Sequence, residues 1–174
     1  MKKRILLLSF IALSSMCAFA QNVPSYVPSN GLVGWWPFNG NANDESGNGN
    51  HGTVNGATLT TDRFGVQNAA FSFNGVNNWI QVQDNISLRP SNITLAAWVF
   101  LPTNTNNYSL ITKSSLQTAQ GEQYALLLNA GSINQNQFAV KSNSGCSPGN
   151  GWRDLMAQTI NSVNQWRFIV ATYD

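Results

Sequence analysis

From residue 32 onward the chain is a series of short apolar runs broken by turn residues. The runs predict strands over 32–38, 52–59, 69–73, 79–82 and 93–101, then 108–113, 123–129, 137–141, 154–159 and 166–173. In Trp79-Ile80-Gln81-Val82-Gln83, Ile80 and Val82 share one face and Gln81 and Gln83 the other, the period of a half-buried strand. The run from Ile93 to Leu101 is apolar on both faces, which predicts a central strand covered on both sides. No stretch carries a capped 3.6-residue period. Ten short strands with turns between them predict an all-β protein, an antiparallel β-sandwich or a barrel. No internal repeat is present, which argues against a propeller or solenoid. Residues 103–107 and 142–151 read as loops, and no second domain is visible.

The N-terminus stands apart from this pattern. Met1-Lys2-Lys3-Arg4 leads into an apolar run from Ile5 to Leu13 and then Ala18-Phe19-Ala20-Gln21. A basic start, a short apolar core and small residues before a cleavage point predict a signal peptide over residues 1–20. The run is too short to cross a hydrocarbon layer of about 30 Å as a helix. A lipoprotein anchor on Cys17 would want Leu three residues earlier, where Ser14 stands instead. Residues 21–30, with Pro24 and Pro28, read as a linker into a domain over 31–174.

Removing the leader changes the charge. Three of the nine Lys and Arg leave with it, so six face seven Asp and Glu. The near-neutral remainder has no basic patch for nucleic acid and no basic amphipathic helix for a membrane surface. From Asn22 onward there are 24 Asn, and Asn-Gly pairs recur, among them those at 30–31, 39–40, 55–56, 74–75 and 150–151. Such pairs tolerate positive φ and favour turns. Once Cys17 has left, Cys146 has no second cysteine to pair with.

Three segments in order resemble the LamG-like jelly-roll family of the concanavalin A-like lectin/glucanase group. The first is Gly31-Leu32-Val33-Gly34-Trp35-Trp36-Pro37-Phe38-Asn39-Gly40 with Asp44-Glu45-Ser46-Gly47-Asn48-Gly49-Asn50-His51-Gly52 after it. The second is Ala70-Phe71-Ser72-Phe73-Asn74-Gly75 through Trp79-Ile80-Gln81-Val82. The third is Ile93-Thr94-Leu95-Ala96-Ala97-Trp98-Val99, echoed by Trp166-Arg167-Phe168-Ile169-Val170-Ala171-Thr172-Tyr173-Asp174. The resemblance implies two antiparallel sheets packed face to face in a jelly roll. It also implies further strands after Thr172-Tyr173-Asp174, so the domain is expected to be incomplete at its C-terminus.

Asp44, Ser46 and Asn48 occupy positions 1, 3 and 5 of a loop with Gly49 at position 6, the spacing that opens a calcium loop. Asn55 stands at position 12, where an EF-hand needs a bidentate Glu. The family resemblance implies a structural Ca²⁺ held by Asp44 and Asp174, with Ser46 and Asn48 assisting. Against it stands an ion-free loop in which Asp44 bonds its own backbone as an Asx-turn.

Catalysis finds less support. Glycosidases of this fold carry paired acids on one strand, with carboxylates about 5–9.5 Å apart. Glu45 and Glu122 each lack a second acid at strand spacing, and Asp154 stands alone. His51, the one histidine, lies in the Gly-rich loop with no serine in a nucleophile-elbow pattern, and reads as a turn residue. No Cys/His cluster offers a zinc site. Sugar recognition would use aromatic faces and amides: Trp79, Tyr108, Tyr124 and Trp152 with Asn77, Asn78, Asn106 and Asn107. Trp35, Trp36, Trp98 and Trp166 fall in apolar runs and are expected in the core.

The expectation is therefore an exported, non-catalytic recognition module. Its partner would be a glycan or an extracellular protein, with no nucleic acid and no membrane insertion after cleavage. An accessory domain of a secreted glycoside hydrolase, or a spacer in a surface adhesin, are the alternatives.

Overall fold

The computed structural model describes residues 23–103, 108–113, 124–130, 135–141, 152–158 and 163–174. The expected leader, Asn106, Asn107, Glu122 and Cys146 lie outside them, and so does the side chain of Trp152.

The described residues form β1 (Gly52–Asn55), β2 (Thr58–Thr60), β3 (Ala70–Ser72), β4 (Trp79–Val82) and β5 (Ile93–Phe100). They continue with β6 (Tyr108–Lys113), β7 (Tyr124–Ala130), β8 (Gln135–Lys141), β9 (Trp152–Gln158) and β10 (Trp166–Tyr173). One 3-10 turn, Ile86–Leu88, is capped by Asn85, whose side chain accepts from the Ser87 N–H. Every strand pairing is antiparallel: a β6-β7-β8-β9 sheet, and the pairs β5-β10, β1-β4 and β2-β3. The protein is an all-β antiparallel sandwich of jelly-roll type.

The two larger sheets pack through one face each. Leu95 of β5, with Ile169, Ala171 and Tyr173 of β10, meets Tyr124 and Leu126 of β7 and Phe138 and Val140 of β8. The alternation of each strand puts these side chains on one side, and burying them away from water drives the packing. A register shift between Ser109 and Ile111 turns both Leu110 and Ile111 of β6 toward this core.

Three expectations are corrected. The predicted strand 32–38 is irregular, because its polar backbone is spent elsewhere. The Trp35 N–H donates to Asp44 and Phe38 takes a φ of 59°, so no ladder can form. The single run 52–59 divides into β1 and β2 at Gly56, whose φ of 75° ends the first ladder. Most consequential, β5 is not covered on both sides. It alternates in burial and pairs with β10 alone among the described residues, leaving its outer face open.

Candidate functional site

Two regions carry chemistry. The first is a clip over residues 32–52, organised by one carboxylate. Asp44 is 5% exposed. Its Oδ1 accepts from the Trp35 N–H at 2.9 Å and the Ser46 N–H at 2.8 Å. Its Oδ2 accepts from Ser46 Oγ at 2.9 Å and from the Asn50 N–H at 2.9 Å. Burial pushes this carboxyl up, but the donors from Trp35, Ser46 and Asn50 outweigh it and hold the group below the ordinary carboxylate range. Asp44 is therefore ionised at neutral pH.

The other expected ligands serve the same network. Asn48 Nδ2 donates to the Leu32 carbonyl at 2.8 Å and to Ser46 Oγ at 3.0 Å. Asn50 Nδ2 donates to the Val33 carbonyl and to Ser87 Oγ, which ties the clip to the 3-10 turn. At the edges, the Trp36 indole N–H reaches the Asn50 carbonyl and Phe38 packs edge-to-face on Phe71 of β3 at 5.2 Å.

This arrangement does not fit a cation at Asp44. An ionised carboxylate offers about four lone-pair sites, and four N–H or O–H donors already fill them. Asn48 turns its amide nitrogen into the clip, where a ligand would turn an oxygen. Asp174 is exposed after the end of β10, and none of the four donors to Asp44 comes from it. Glu45 Oε2 is buried without a partner, but one such oxygen is far short of the 6–8 a calcium shell needs. No group of three or more His, Cys, Asp or Glu able to hold a metal occurs among the described residues. Asp44, Ser46 and Asn48 meet in one loop through hydrogen bonds among themselves, an Asx-turn arrangement.

Nor does the clip assemble a triad. His51 Nδ1 accepts from the backbone N–H of Asp44 at 3.1 Å, and Ser46 Oγ donates straight to the Asp44 carboxylate. A triad needs the imidazole between those two groups.

The second region is the outer face of the β5-β10 ribbon, which sequence reasoning assigned to the core. The register sets Thr94 opposite Thr172, Ala96 opposite Val170, Trp98 opposite Phe168 and Phe100 opposite Trp166. Trp98 is 45% exposed, Phe100 44%, Phe168 54% and Val170 50%. The Trp98 and Phe168 ring centroids lie 5.2 Å apart, and those of Phe100 and Trp166 5.8 Å. Trp98 is thus not the core residue expected. Arg63, which no pattern in the sequence singled out, places its guanidinium 4.5 Å from the Trp98 ring centroid and 4.2 Å from that of Phe64.

The aromatic residues expected to bind sugar scatter. Tyr124 is buried in the core, where burial first and Asp84 second push its phenol up, so it is no platform. The Tyr108 hydroxyl is bonded to Thr103. Trp79 is 52% exposed, beside a turn in which Asn74, Asn77 and Asn78 bond one another.

The described strands define a two-layer antiparallel β-sandwich of the jelly-roll class. The model of the concanavalin A-like lectin/glucanases superfamily, Laminin_G_3, matches residues 74–174, from just before β4 to the end of β10, and the chain belongs to that family. No curated protein and no solved structure matches the chain.

Proposed function

We propose that the chain is an exported, non-catalytic recognition module that binds carbohydrate, with a surface protein as the alternative partner. One observation carries the reading: Trp98, Phe100, Phe168 and Val170 form an exposed apolar strip on a regular, hydrogen-bonded ribbon. A contiguous apolar patch on an ordered surface marks an interaction site more often than a lone exposed residue does. Flat aromatic faces take the apolar side of a sugar ring, and Thr94 and Thr172 on the same face offer hydroxyls.

The family's generally extracellular use and the leader-like N-terminus support export. The structural employment of the described acids supports a non-catalytic role. Asp44 holds the clip, Asp62 caps a turn, and Asp84 pairs with Arg89 and Lys113. An accessory role beside a catalytic domain is the same activity in another setting.

The test is retention on immobilised polysaccharides, comparing the parent with Trp98→Ala and Phe168→Ala. Each substitution is expected to weaken binding by about tenfold, the scale of losing one buried aromatic contact. Unchanged retention in both variants would remove the strip from the argument. Product release from a β-glucan by rigorously purified protein would overturn the non-catalytic reading.

A further inference from the structure

We propose that Arg63 is a carboxylate receptor at the edge of this strip, and that the ligand is therefore an acidic polysaccharide bearing uronate residues. The proposal rests on the carbohydrate-binding reading and narrows it.

Its basis is how Arg63 is held. The turn that carries it is fixed by its neighbour: Asp62 Oδ1 accepts from the Phe64 and Val66 N–H groups, each at 2.8 Å. The Asp62 N–H donates to the Val66 carbonyl, and the Gly65 N–H donates to that of Asp62. Asp62 Oδ1 is thereby occupied with backbone, and no ion pair joins Asp62 to Arg63. The guanidinium lies over the Phe64 and Trp98 rings, at 4.2 and 4.5 Å from their centroids. It has no ion-pair or hydrogen-bond partner among the described residues.

Ring stacking fixes the plane of a guanidinium while leaving its N–H edge free, and that edge matches a carboxylate in bidentate fashion. The other described cations near an acid, Arg89 and Lys113, are both spent on Asp84.

The strip beside Arg63 decides what carries the carboxylate. Two strands of eight residues present roughly 250 Å² from their rise and spacing. That is well short of the ~800 Å² per partner of a stable protein interface. It suits a narrow, linear ligand about 25 Å long on the strand rise. A uronate chain supplies such a ligand: apolar ring faces for the exposed Phe168 and Phe100, hydroxyls for the threonines and a carboxylate for Arg63, which covers Trp98.

The experiment measures binding of the full chain to polygalacturonate, to the same polymer with its carboxyls reduced to alcohols, to neutral glucans and to poly-glutamate. Polygalacturonate is expected to bind at least about tenfold more tightly than its reduced form, the scale of a charge-assisted hydrogen bond. Raising the salt should weaken it. Arg63→Gln should abolish the preference without changing the melting temperature by more than a degree or two. Arg63→Lys, a point charge in place of a fork, should restore only part of it. The polymer comparison uses the parent protein, so it decides even if a variant misfolds.

Equal binding of the two forms, or binding of neutral glucans alone, overturns the receptor and leaves the carbohydrate reading standing. Poly-glutamate binding as well as polygalacturonate would make the ligand an acidic protein and overturn the uronate assignment. Binding of no polymer overturns both. A melting temperature that falls on Arg63→Gln with the preference intact would make the stacking merely structural, and overturn the receptor too.

Discussion

The clip over 32–52 and the β5-β10 ribbon treat polar and apolar groups in opposite ways. The clip is irregular, yet it hides an ionised carboxylate and satisfies it with four donors. The ribbon is the most regular element of the fold, with eight residue pairs in register, yet it leaves four large apolar side chains open to water. Regularity is thus no guide to burial here. The clip is built around the internal demand of one buried charge, while the ribbon's outer face keeps its large apolar side chains half exposed, with Arg63 stacked on one of them. A side chain whose polar atoms are all satisfied inside the protein reads as structural, and an apolar one left half exposed reads as available.

The sharpest way to break that contrast is to remove the charge. Asp44→Ala strips the acceptor from the Trp35, Ser46 and Asn50 N–H groups, two of which belong to buried residues. Each buried donor left unpaired costs about 1–3 kcal/mol, so a loss of about 3 kcal/mol or more is expected in a denaturant titration. Asp44→Asn, which keeps one acceptor oxygen, should fall between the two. If Asp44→Ala unfolds at the same denaturant concentration as the parent, the clip does not depend on this carboxylate.

A smaller effect is expected from acid. Asp44 is held below the usual carboxylate range in the folded chain, so its contribution is full above the unfolded value near 3.8 and fades as pH falls through its lower folded value. Asp84 behaves alike for a different reason. Hydrogen bonds from Lys113 first and Arg89 second lower it to about 2, so its contribution fades between about 3.8 and about 2. Salt separates them. Asp84 is exposed and paired to cations, so 0.5 M NaCl should blunt its share. Asp44 is bound by neutral donors in a buried clip and should keep its share. The check is acid unfolding of Asp44→Asn and Asp84→Asn at low and high salt. Loss of the salt-resistant part on Asp84→Asn would reverse the assignment.

Much of this was legible in the sequence, and the failures share a cause. Strands β4, β6 and β10 coincide with their predicted ranges, because alternation and turn residues are local signals. Residues 32–38 read as a strand because Leu32, Val33, Trp35, Trp36 and Phe38 are apolar and bulky. What denies them a ladder is a carboxylate several residues further on. The run Ile93–Phe100 reads as two-sided because its composition is apolar throughout, but whether a second face is covered depends on what packs there. Asp44, Ser46 and Asn48 lie close in sequence and share one hydrogen-bond network. Whether such a loop holds an ion turns on where backbone N–H groups point, which residue identity does not encode. Arg63 is a lone cation in a turn and carries no pattern; only its rings, 4.2 and 4.5 Å away, single it out.

The last expected effect is an absence of one, and it tests the clip most directly. With the Asp44 lone pairs filled from within, adding millimolar Ca²⁺ or EDTA should leave the melting temperature of the chain unchanged. A cation that bound the folded state alone would raise it by mass action, by RT ln(1 + [L]/Kd), or about 2.7 kcal/mol at a hundredfold excess over Kd. Such a rise would be read easily as a shift of several degrees in a domain of this size. Its location would then be decided by Asp44→Asn and Asp174→Asn. A calcium-dependent rise abolished by either substitution would mean that the four donors give way to an ion, and the clip would be a metal site after all. A rise that survives both would place the ion elsewhere and leave the clip a closed network, whose carboxylate does for the loop what a cation does in a calcium loop: it draws four separate groups to one point.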